Sequence, residues 1–481
     1  MPDTIPHAPL LDALRALVGE RGLVAGAGDI APYVRDWRGL YEGSAAAVVR
    51  PASTAEVAAV VRLCAECRVG IVPQGGNTSM VGGATPDASG KQIVLSLSRM
   101  GRVRAVDPVD MTLTVEAGLP WQRAQEAAAE AGCLLPLSIS SEGTAQVGGI
   151  LSANAGGNNT VRYGNARELV LGIEAVLPDG QVLEGLRALR KDNTGYALRH
   201  LLVGAEGTLG VITAAVLRLV PGTRDAAVAL CAVPSLEAAL ALFTRVSRAD
   251  PAALSAFEYM SGTGMNLVLR HIPGVSLPLT QPAEHYALIE LATPRAEAGL
   301  GEALEALLAD ALEADEVADA AVASSEAQRR ALWKLREEHA EAQKREGASV
   351  KNDVSVPVSA VPELIRRSSA ACERLIPGTR PVPFGHMGDG NIHMNLLQPE
   401  SGPEGGDGRA FLARSAEIMD AVNEVVRALG GSFSAEHGVG RLKPAMMPLW
   451  RGGAELDAMR RIKRALDPSG IMNPGKVLPP C

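Results

Sequence analysis

The chain has 481 residues, a formal net charge of −8 and only 3% aromatic residues, so its interior must be built from small and aliphatic side chains. This length exceeds what one hydrophobic core supports, and two or three domains are expected. The acidic balance without a long basic run argues against nucleic acid as a partner, and six cysteines in so long a chain do not indicate a disulfide framework.

Nothing in the sequence indicates a membrane span or an export signal. No window holds eighteen uncharged apolar residues. The N-terminal stretch MPDTIPHAPLLDALRALVGE carries acidic residues and lacks the basic segment followed by an apolar segment that is typical of a signal peptide. We therefore expect a cytoplasmic protein, with peripheral attachment to an inner membrane left open.

The first strong helix signal lies in PASTAEVAAVVRLCAECR. Ser53 and Glu56 match a capping box, and apolar residues follow at helical spacing. Cys64 and Cys67 form a C-x-x-C that could be a redox or metal pair. Because both lie on or beside the apolar face, the sequence favours plain core packing.

Strand signals and glycine-rich loops alternate through the rest of the first half. The predicted strands are VGIVP, QIVLSL, TLTVEAG, VLGIEAVLPDGQVL and GVITAAVLRLVP, and the turn Asp179-Gly180 makes a hairpin of the fourth. From about residue 222, strands alternate with helices without such loops, which predicts a sheet covered by helices. Two helices close the chain, FLARSAEIMDAVNEVVRALGG and AELDAMRRIKRALD. The pattern is that of an α+β protein.

Two glycine-rich segments are candidate ligand loops: PQGGNTSMVGG, residues 73–83, and EGTAQVGGILSANAGGNNTVRYG, residues 142–164. Glycines let a backbone approach a ligand and turn its N–H groups toward it, and Thr78 and Ser79 add hydroxyls, a combination that suits a pyrophosphate. Neither segment is a P-loop or a G-x-G-x-x-G fingerprint. A flexible surface loop is the alternative for each.

The stretch FGHMGDGNIHMN, residues 384–395, concentrates histidines in a chain that has eight. In one continuous strand His386 and His393 would lie on opposite faces. A two-residue hairpin turn at Asp389-Gly390 would instead pair them, with Cβ atoms about 5 Å apart, close enough to share a metal. Asn395 would share that face. Glu436, in SAEHGVGR, is the candidate third ligand because zinc commonly takes two histidines and a carboxylate.

Before the histidines, EAQRRALWKLREEHAEAQKRE predicts a helix, and ASVKNDVSVPV predicts a strand with Lys351 and Asp353 on one face. The opposite face would carry Val350, Val354, Val356 and Val358. Arg and Lys on such elements are usually solvated.

Several motifs in order resemble one known family. PQGGNTSMVGG, GGILSANAGG, RKDNTGY and GAEGTLGVIT are similar to the FAD-binding domain of the vanillyl-alcohol oxidase and p-cresol methylhydroxylase superfamily. GHMGDGNIHMN, SAEHGVGRLK and DPSGIMNPGK narrow the resemblance to its D-lactate and D-2-hydroxyglutarate dehydrogenase branch. The resemblance implies FAD contacts from Pro73, Gly75, Gly76, Asn77, Thr78, Ser79, Gly82, Pro136, Gly143, Thr144, Gly148, Gly149, Asn154, Gly156, Ile212 and Asn473. It also implies non-covalent FAD, since members with covalent flavin tend to carry histidine at the position of Asn77.

The same resemblance implies roles for the remaining polar residues. A divalent metal, with zinc as first candidate, would be held by His386, His393 and Glu436. His437 would be the base that takes the substrate hydroxyl proton while a hydride passes to flavin N5. The substrate-binding residues would be Arg336, Lys351 and Asn395.

The function expected from these features is the FAD- and metal-dependent oxidation of a D-2-hydroxy acid, such as D-2-hydroxyglutarate or D-lactate, to the 2-oxo acid. The 2-hydroxyglutarate enzymes place a threonine one turn after the arginine, where this chain has Ala340, so a monocarboxylate or a larger apolar 2-hydroxy acid stays open. A glycolate oxidase subunit or a cytochrome- or quinone-linked D-lactate dehydrogenase is the alternative within the family. A zinc hydrolase with nucleotide-binding loops and a non-catalytic FAD-binding subunit are alternatives of other classes.

The resemblance also implies an architecture. Residues 1–221 would form a two-subdomain FAD-binding domain of the p-cresol methylhydroxylase type, and 222–410 an antiparallel-sheet substrate or cap domain with the metal hairpin. Residues 411–481 would form a helical segment returning to the FAD. An acceptor protein or quinone would take the electrons, and a homodimer is left open.

Overall fold

A computed structural model describes residues 7–401, 406 and 408–480. The chain divides into two compact units. The first comprises the described residues of Met1–Gly156, Asn165–Gly222 and Glu436–Cys481, and the second those of Gly157–Gly164 and Thr223–Ala435. The segment SGPEGGDGR, residues 401–409, is typical of a loop or small insertion, and residues 402–405 and 407 of it lie outside the described residues.

The strands are β1 (Leu23–Val24), β2 (Ala47–Val49), β3 (Gly70–Gln74), β4 (Gln92–Ser96), β5 (Val103–Asp107), β6 (Thr112–Glu116), β7 (Cys133–Leu134), β8 (Val170–Val176), β9 (Val182–Gly185), β10 (Val211–Arg218), β11 (Val220–Pro221), β12 (Asp225–Val233), β13 (Leu254–Ser261), β14 (His285–Thr293), β15 (Asp319–Val322), β16 (Ser349–Val350), β17 (Asp353–Ser355), β18 (Arg380–Gly385) and β19 (Asn391–Leu397).

The α-helices are α1 (His7–Val18), α2 (Ala27–Val34), α3 (Thr54–Cys67), α4 (Trp121–Glu130), α5 (Val147–Ala153), α6 (Thr160–Tyr163), α7 (Ala166–Leu169), α8 (Arg199–Leu202), α9 (Leu236–Ala249), α10 (Gly262–His271), α11 (Leu300–Glu313), α12 (Glu326–Glu337), α13 (His339–Glu346), α14 (Val361–Leu375), α15 (Arg409–Ala413), α16 (Ser415–Ala428), α17 (Met447–Trp450) and α18 (Ala454–Leu466).

Two sheets form most of the first unit. One has four strands in the order β1-β2-β4-β3, and β4 runs parallel to both β2 and β3. The other has five antiparallel strands in the order β5-β6-β10-β8-β9. A continuous aliphatic core joins them, in which the largest fully buried side chain is that of Trp121.

The C-terminal segment of the first unit is fastened to its core by polar contacts. Met472 forms a bridge with Ile71 at the edge of β3. The Lys463 ammonium donates to the carbonyl oxygens of Thr208 and Met472, at 2.7 and 2.8 Å. Asp467, fully buried, accepts from the amide N–H groups of the turn that leads to Met472. The turn after α18 is therefore held next to the strand that leads into the first glycine-rich loop.

The second unit is built on one eight-stranded antiparallel sheet, ordered β15-β12-β14-β13-β18-β19-β16, with β17 also paired to β19. Helix α12 packs on β12 and β14, and α10 packs on β18 and α13. Helices α9, α11 and α14 also pack on the sheet. The α+β class and the antiparallel sheet expected for the second half are confirmed.

Most of the local predictions are confirmed. The five predicted strands correspond to β3, β4, β6, the β8–β9 hairpin and β10. In α3 the Ser53 hydroxyl accepts from the Glu56 N–H, and the Glu56 carboxylate accepts from the Ala52 N–H. Cys64 is fully buried, and burial raises the pKa of its thiol to about 12, as expected for a packing residue.

Two local predictions are wrong. The strand predicted through Val358 is broken: β16 ends at Val350, β17 begins at Asp353, and Val358 starts a 3-10 turn. At the break, the Met394 N–H still donates to the Asn352 carbonyl oxygen, while the Asn352 side-chain amide donates to the Met394 carbonyl oxygen. The helix predicted from residue 411 is likewise divided at Arg414 into α15 and α16.

Among residues 7–401, 406 and 408–480, no helix combines the length and the apolar character that a membrane crossing requires.

His339 generates a prediction about stability and pH. It is fully buried in α13, and neither ring nitrogen has a hydrogen-bond partner among the described residues. Burial, with a smaller effect of Arg336, lowers its pKa to about 3. An unfolded chain protonates this histidine near pH 6.5 and the folded chain does not, so stability is lost as the pH falls from about 6.5 toward 3.

We expect His339→Met to remove about 1.4 kcal/mol per pH unit of this dependence between pH 6 and pH 4. Urea unfolding of the wild type and the variant at several pH values measures the difference. Equal slopes for the two proteins would contradict the prediction.

Candidate active site

The first glycine-rich loop follows β3 and has backbone N–H groups without an acceptor among the described residues. A Cβ on Gly76 would lie 2.0 Å from the Thr144 carbonyl oxygen, so only glycine fits there. The backbone N–H groups of Gly76, Asn77 and Thr78 have no acceptor within the described chain. A row of free N–H groups suits an anion such as a pyrophosphate. The residues therefore fit the predicted cofactor contact.

The side chain of Asn77 is used to hold this loop. Its φ is +54°, and its amide donates to the carbonyl oxygens of Pro32 and Arg35, at 3.3 and 2.9 Å. A groove of about 540 Å³ beside the loop is lined by residues including Arg35, Trp37 and Gly76. The loop thus presents backbone donors, while its asparagine is turned toward the neighbouring α2 segment.

The second glycine-rich segment faces the first. A Cβ on Gly75 would meet Gly149 backbone atoms at 3.5 Å, and Gly148 packs against Ala117. A Cβ on Gly149, in contrast, would have nothing within 4 Å apart from its own helix. Asn154 ends α5 with φ +50°. The other predicted FAD residues of this unit are Pro73, Ser79, Gly82, Pro136, Gly143, Gly156 and Ile212.

Glu206 and Asn473 tie the C-terminal segment to these loops. The Glu206 carboxylate accepts from the N–H groups of Val439 and Gly440, both at 2.8 Å, and burial raises its pKa. The Asn473 amide donates to the carbonyl oxygens of Gly83 and Glu206. Asn473 therefore positions the loop by these contacts, and the predicted FAD contact would be an additional role.

Glu436 and His437 are the first two residues of the C-terminal segment of the first unit. His437 Nε2 and a Glu436 carboxylate oxygen lie 3.7 Å apart, and both side chains are partly exposed. A Cβ on Gly156 would lie 3.3 Å from the other Glu436 oxygen. A glycine at 156 therefore makes room for this carboxylate.

In the second unit, one face of the sheet carries a predicted metal residue, His393, and a predicted substrate residue, Asn395. Phe384 pairs with His393, Val382 with Asn395, and Asp353 with His393. Residues directly opposite in a ladder project from the same face. His393, Asn395 and Asp353 therefore share a face with Phe384.

The predicted pairing of the two histidines is wrong, although they do lie close together. β18 ends at Gly385, and a 3-10 turn over Met387–Asp389 replaces the two-residue turn, so Phe384 lies opposite His393. The turn is drawn inward because Met387 is fully buried and Gly388 packs closely on its neighbours. The ring centroids of His386 and His393 are 6.0 Å apart. This spacing allows both imidazoles to approach one ion.

Asp389 is predicted to be a turn residue, and its hydrogen bond is one that turn residues make. Its carboxylate accepts from the Asn391 N–H at 3.0 Å, and Gly390 adopts φ +82°. Aspartate commonly bonds the backbone two residues on in this way.

A buried carboxylate connects His386 with Arg336. His386 Nδ1 donates to one oxygen of Glu258 at 2.7 Å, and Arg336 Nε donates to the other at 2.7 Å. Glu258 is fully buried, which raises its pKa, but the two partners outweigh burial and hold the pKa at about 2. Within the described chain, the two Nη groups of Arg336 have no acceptor. They could bind a substrate carboxylate.

The Phe384 ring organises the same cluster. The Arg336 guanidinium lies 5.0 Å from its centroid, His339 stacks on it at 5.1 Å, and the His393 ring is 4.9 Å away. Cation and aromatic contacts of this kind restrict the side chains involved.

Asn395 is held by its neighbours. Its side-chain amide donates to the side-chain oxygen Oε1 of Gln343 at 3.0 Å, and its own side-chain oxygen accepts from the Asn352 backbone N–H. Lys351 lies half-buried between β16 and β17. The roles of Asn395 and Lys351 in substrate binding stay predictions.

Sequence reasoning missed Glu258 and misplaced Asp353. Glu258 is the one charged residue of the otherwise apolar and small strand LSAFEYMS, which was a usable signal, since a charge in a buried strand needs a partner. The strand pattern predicts Asp353 on one face with Lys351, whereas Asp353 is buried opposite His393. Only the pairing of β17 with β19 reveals that position.

The chain matches two family models, FAD binding domain over residues 45–185 and FAD linked oxidases, C-terminal domain, over 223–477. It is 36% identical over 449 residues to a D-2-hydroxyglutarate dehydrogenase of Xanthomonas citri pv. viticola, covering 93% of this chain and 92% of that one. It is 32% identical over 461 residues to a D-2-hydroxyglutarate–pyruvate transhydrogenase of Saccharomyces cerevisiae, covering 94% and 90%. Among solved structures, p-cresol methylhydroxylase with bound substrate matches with a TM-score of 0.75 at 16% identity, covering 98% and 96%, which shows a shared fold.

The open space at Gly149 generates a test of the FAD site. Gly149→Ala should leave folding intact, because alanine is favoured in a helix and its methyl group meets no other atom. If FAD lies there, its affinity should fall at least about tenfold, as expected for overpacking of a close contact. FAD content after purification and titration of the apoprotein measure the effect.

Gly28→Ala in α2 is the matched control, because a Cβ there also meets nothing within 4 Å. FAD affinity of Gly149→Ala equal to that of Gly28→Ala would remove Gly149 from the predicted FAD site.

Proposed function

Because the chain belongs to the FAD linked oxidase family, we propose that it is an FAD- and divalent-metal-dependent dehydrogenase that oxidises a D-2-hydroxy acid to the 2-oxo acid. The observation that carries the proposal is the cluster on one face of the second unit's sheet. Two imidazoles lie 6.0 Å apart, and the His386 imidazole shares a buried carboxylate with an arginine whose Nη groups have no acceptor among the described residues. Metal ligands next to a carboxylate-binding group suit a 2-hydroxy acid.

The chemistry requires both a proton acceptor and an electron acceptor. When bound, FAD supplies the two-electron acceptor, and a divalent cation supplies a Lewis acid that favours the deprotonated hydroxyl. We propose His386, His393 and Glu436 as the metal ligands, with zinc as the first candidate.

The remaining residues would bind and deprotonate the substrate. Arg336 would hold a carboxylate through its Nη groups, with Lys351 and Asn395 as further binding residues. His437 would take the hydroxyl proton as general base.

The FAD would be bound without a covalent link. Asn77 occupies the position at which members of the family with covalent flavin tend to carry histidine, and its side chain is hydrogen-bonded to the backbone of Pro32 and Arg35. The N–H groups of residues 76–78, unpaired within the described part of the chain, would instead hold the pyrophosphate.

The substrate is proposed from the named relatives and limited by one departure. D-2-hydroxyglutarate is the first candidate because it occurs in the names of both relatives. D-lactate or an apolar 2-hydroxy acid is the second, because the threonine hydroxyl of the 2-hydroxyglutarate pattern is absent at Ala340. A glycolate oxidase subunit is the alternative within the family. Anaerobic bleaching of the flavin by each enantiomer of these acids distinguishes the substrates.

Several expectations stay predictions: a cytoplasmic location, an acceptor protein or quinone as electron acceptor, a homodimer, and the domain roles of residues 1–221, 222–410 and 411–481. The hydrolase considered above does not agree with two family models that both describe FAD-linked proteins.

The base assignment predicts the behaviour of His437→Ala. The variant should keep its FAD, because none of the proposed FAD contacts is changed, while flavin reduction by substrate should slow about 10²- to 10⁴-fold. Stopped-flow absorbance under anaerobic conditions measures the rate. His271→Gln, which changes a histidine bonded to Glu346 and outside the proposed site, is the control. A wild-type reduction rate in His437→Ala would refute the assignment.

The metal assignment predicts the effect of chelation. EDTA treatment followed by gel filtration should abolish flavin reduction by substrate without releasing the FAD, and added Zn²⁺, Co²⁺ or Mn²⁺ should restore it. The oxidised flavin spectrum and the metal content are recorded on the same sample. Full-rate reduction in protein shown to be metal-free would exclude the metal role.

A further inference from the structure

One carboxylate, that of Glu258, contacts both a proposed metal ligand and a proposed substrate-binding residue. Its two oxygens divide between them, one accepting from His386 Nδ1 and the other from Arg336 Nε, each at 2.7 Å. The side chains of all three residues are at most 8% exposed. The contacts are therefore shielded from water, where charge-assisted hydrogen bonds are strongest.

The strand register explains why these groups meet. In β13 and β18, Met260 pairs with Phe384 and Tyr259 with Gly385. Continuing this register by one residue would place Glu258 opposite His386, in agreement with the hydrogen bond between their side chains. Arg336 approaches the same carboxylate from α12. The arrangement thus joins two strands and one helix at a single buried charge.

We propose that Glu258 is a positioning residue that presets the metal-binding nitrogen of His386 and the carboxylate-binding edge of Arg336 at the same time. The inference rests on the proposed function, because it presupposes the roles given there to His386 and Arg336.

The effect on His386 follows from the tautomer. A neutral imidazole that donates from Nδ1 carries its lone pair on Nε2, which is then the nitrogen that can bind a cation. Carboxylates that accept from the second nitrogen of a ligating histidine orient its ring and strengthen it as a ligand. Glu258 would therefore raise the affinity of the site for a divalent cation.

The effect on Arg336 follows from its shape. The guanidinium is a planar fork, and a bond from Nε fixes the plane in which the two Nη groups lie. Glu258 holds Nε, and the Phe384 ring lies beside the guanidinium. The two Nη groups are therefore already oriented before substrate binds, and binding costs less side-chain entropy. Substrate affinity should depend on this restraint.

The chain offers a matched control on the same strand pair. Glu290 lies opposite Ala256, two residues from Glu258, and therefore on the same face of the sheet. Its carboxylate accepts from Ser255 Oγ and from Trp333 Nε1, which is also on α12. Glu290→Gln thus changes a carboxylate that joins the same strand and helix but contacts no proposed ligand.

The first experiment measures metal affinity on the FAD-bound full-length protein without substrate. Zn²⁺ and Co²⁺ are titrated against a chromophoric chelator for the wild type, Glu258→Gln and Glu290→Gln. We expect the Kd of Glu258→Gln to rise about 10- to 100-fold and that of Glu290→Gln to stay within about twofold. Thermal unfolding and FAD content are recorded alongside, because a purely structural role would lower the Tm of Glu258→Gln without changing its metal affinity.

The second experiment tests the effect of Glu258 on Arg336 separately from its effect on His386. At saturating Zn²⁺, Glu258→Gln should show a KM for D-2-hydroxyglutarate or D-lactate, whichever reduces the flavin faster, that is raised about tenfold or more, because Arg336 is no longer oriented. A KM equal to that of the wild type would overturn the part of the proposal that concerns Arg336.

Three outcomes distinguish this inference from the proposed function. A wild-type protein that binds no divalent cation would overturn both. Metal binding by the wild type with an unchanged Kd in Glu258→Gln would overturn the positioning role alone. If Glu258→Gln does not fold, ¹⁵N NMR of the Zn²⁺-loaded wild type decides, with His386→Gln used for assignment: a proton on Nδ1 of His386 supports the role, and a proton on Nε2 overturns it.

Discussion

The second unit depends on one buried negative charge. A fully buried carboxylate is costly unless its charge is matched and both oxygens are hydrogen-bonded. Glu258 meets this requirement through His386 and Arg336, and removing one partner of such a pair typically destabilises a protein by about 3 to 5 kcal/mol. The same two bonds fix the end of β18, the last turns of α12 and the middle of β13 relative to one another. The two hydrogen bonds that stabilise the buried Glu258 carboxylate therefore also set the geometry of the candidate site.

The first unit depends on close backbone contacts of a different kind. Gly76 approaches Thr144 so closely that no side chain fits, and Glu206 uses its carboxylate to hold the N–H groups of Val439 and Gly440. These contacts bring the first glycine-rich segment, residues 142–156 of the second and the C-terminal segment together within the first unit. The N–H groups of residues 76–78, which have no acceptor among the described residues, are then available to an anionic ligand.

Local features of the site were predictable because they depend on neighbouring residues only. The glycine loops, the capping box of α3 and the turn chemistry of Asp389 each need a few consecutive residues, and each was recognised. The proximity of His386 and His393 was also predicted, but from the wrong pairing. The actual turn is longer because Met387 is buried in the core, and burial of a turn residue depends on distant packing that the local pattern does not contain.

The α+β class, the order of most strands and helices, and motifs specific enough to indicate an FAD-linked family could all be inferred from the amino-acid sequence. The sequence also identified which side chains have the chemistry for a metal and a carboxylate. That Glu258 joins His386 to Arg336 and that Asp353 faces His393 could be seen only in the folded chain. Those contacts link residues 128, 78 and 40 positions apart in the chain. Strand register and helix packing set them, and both result from the burial of side chains throughout the sheet.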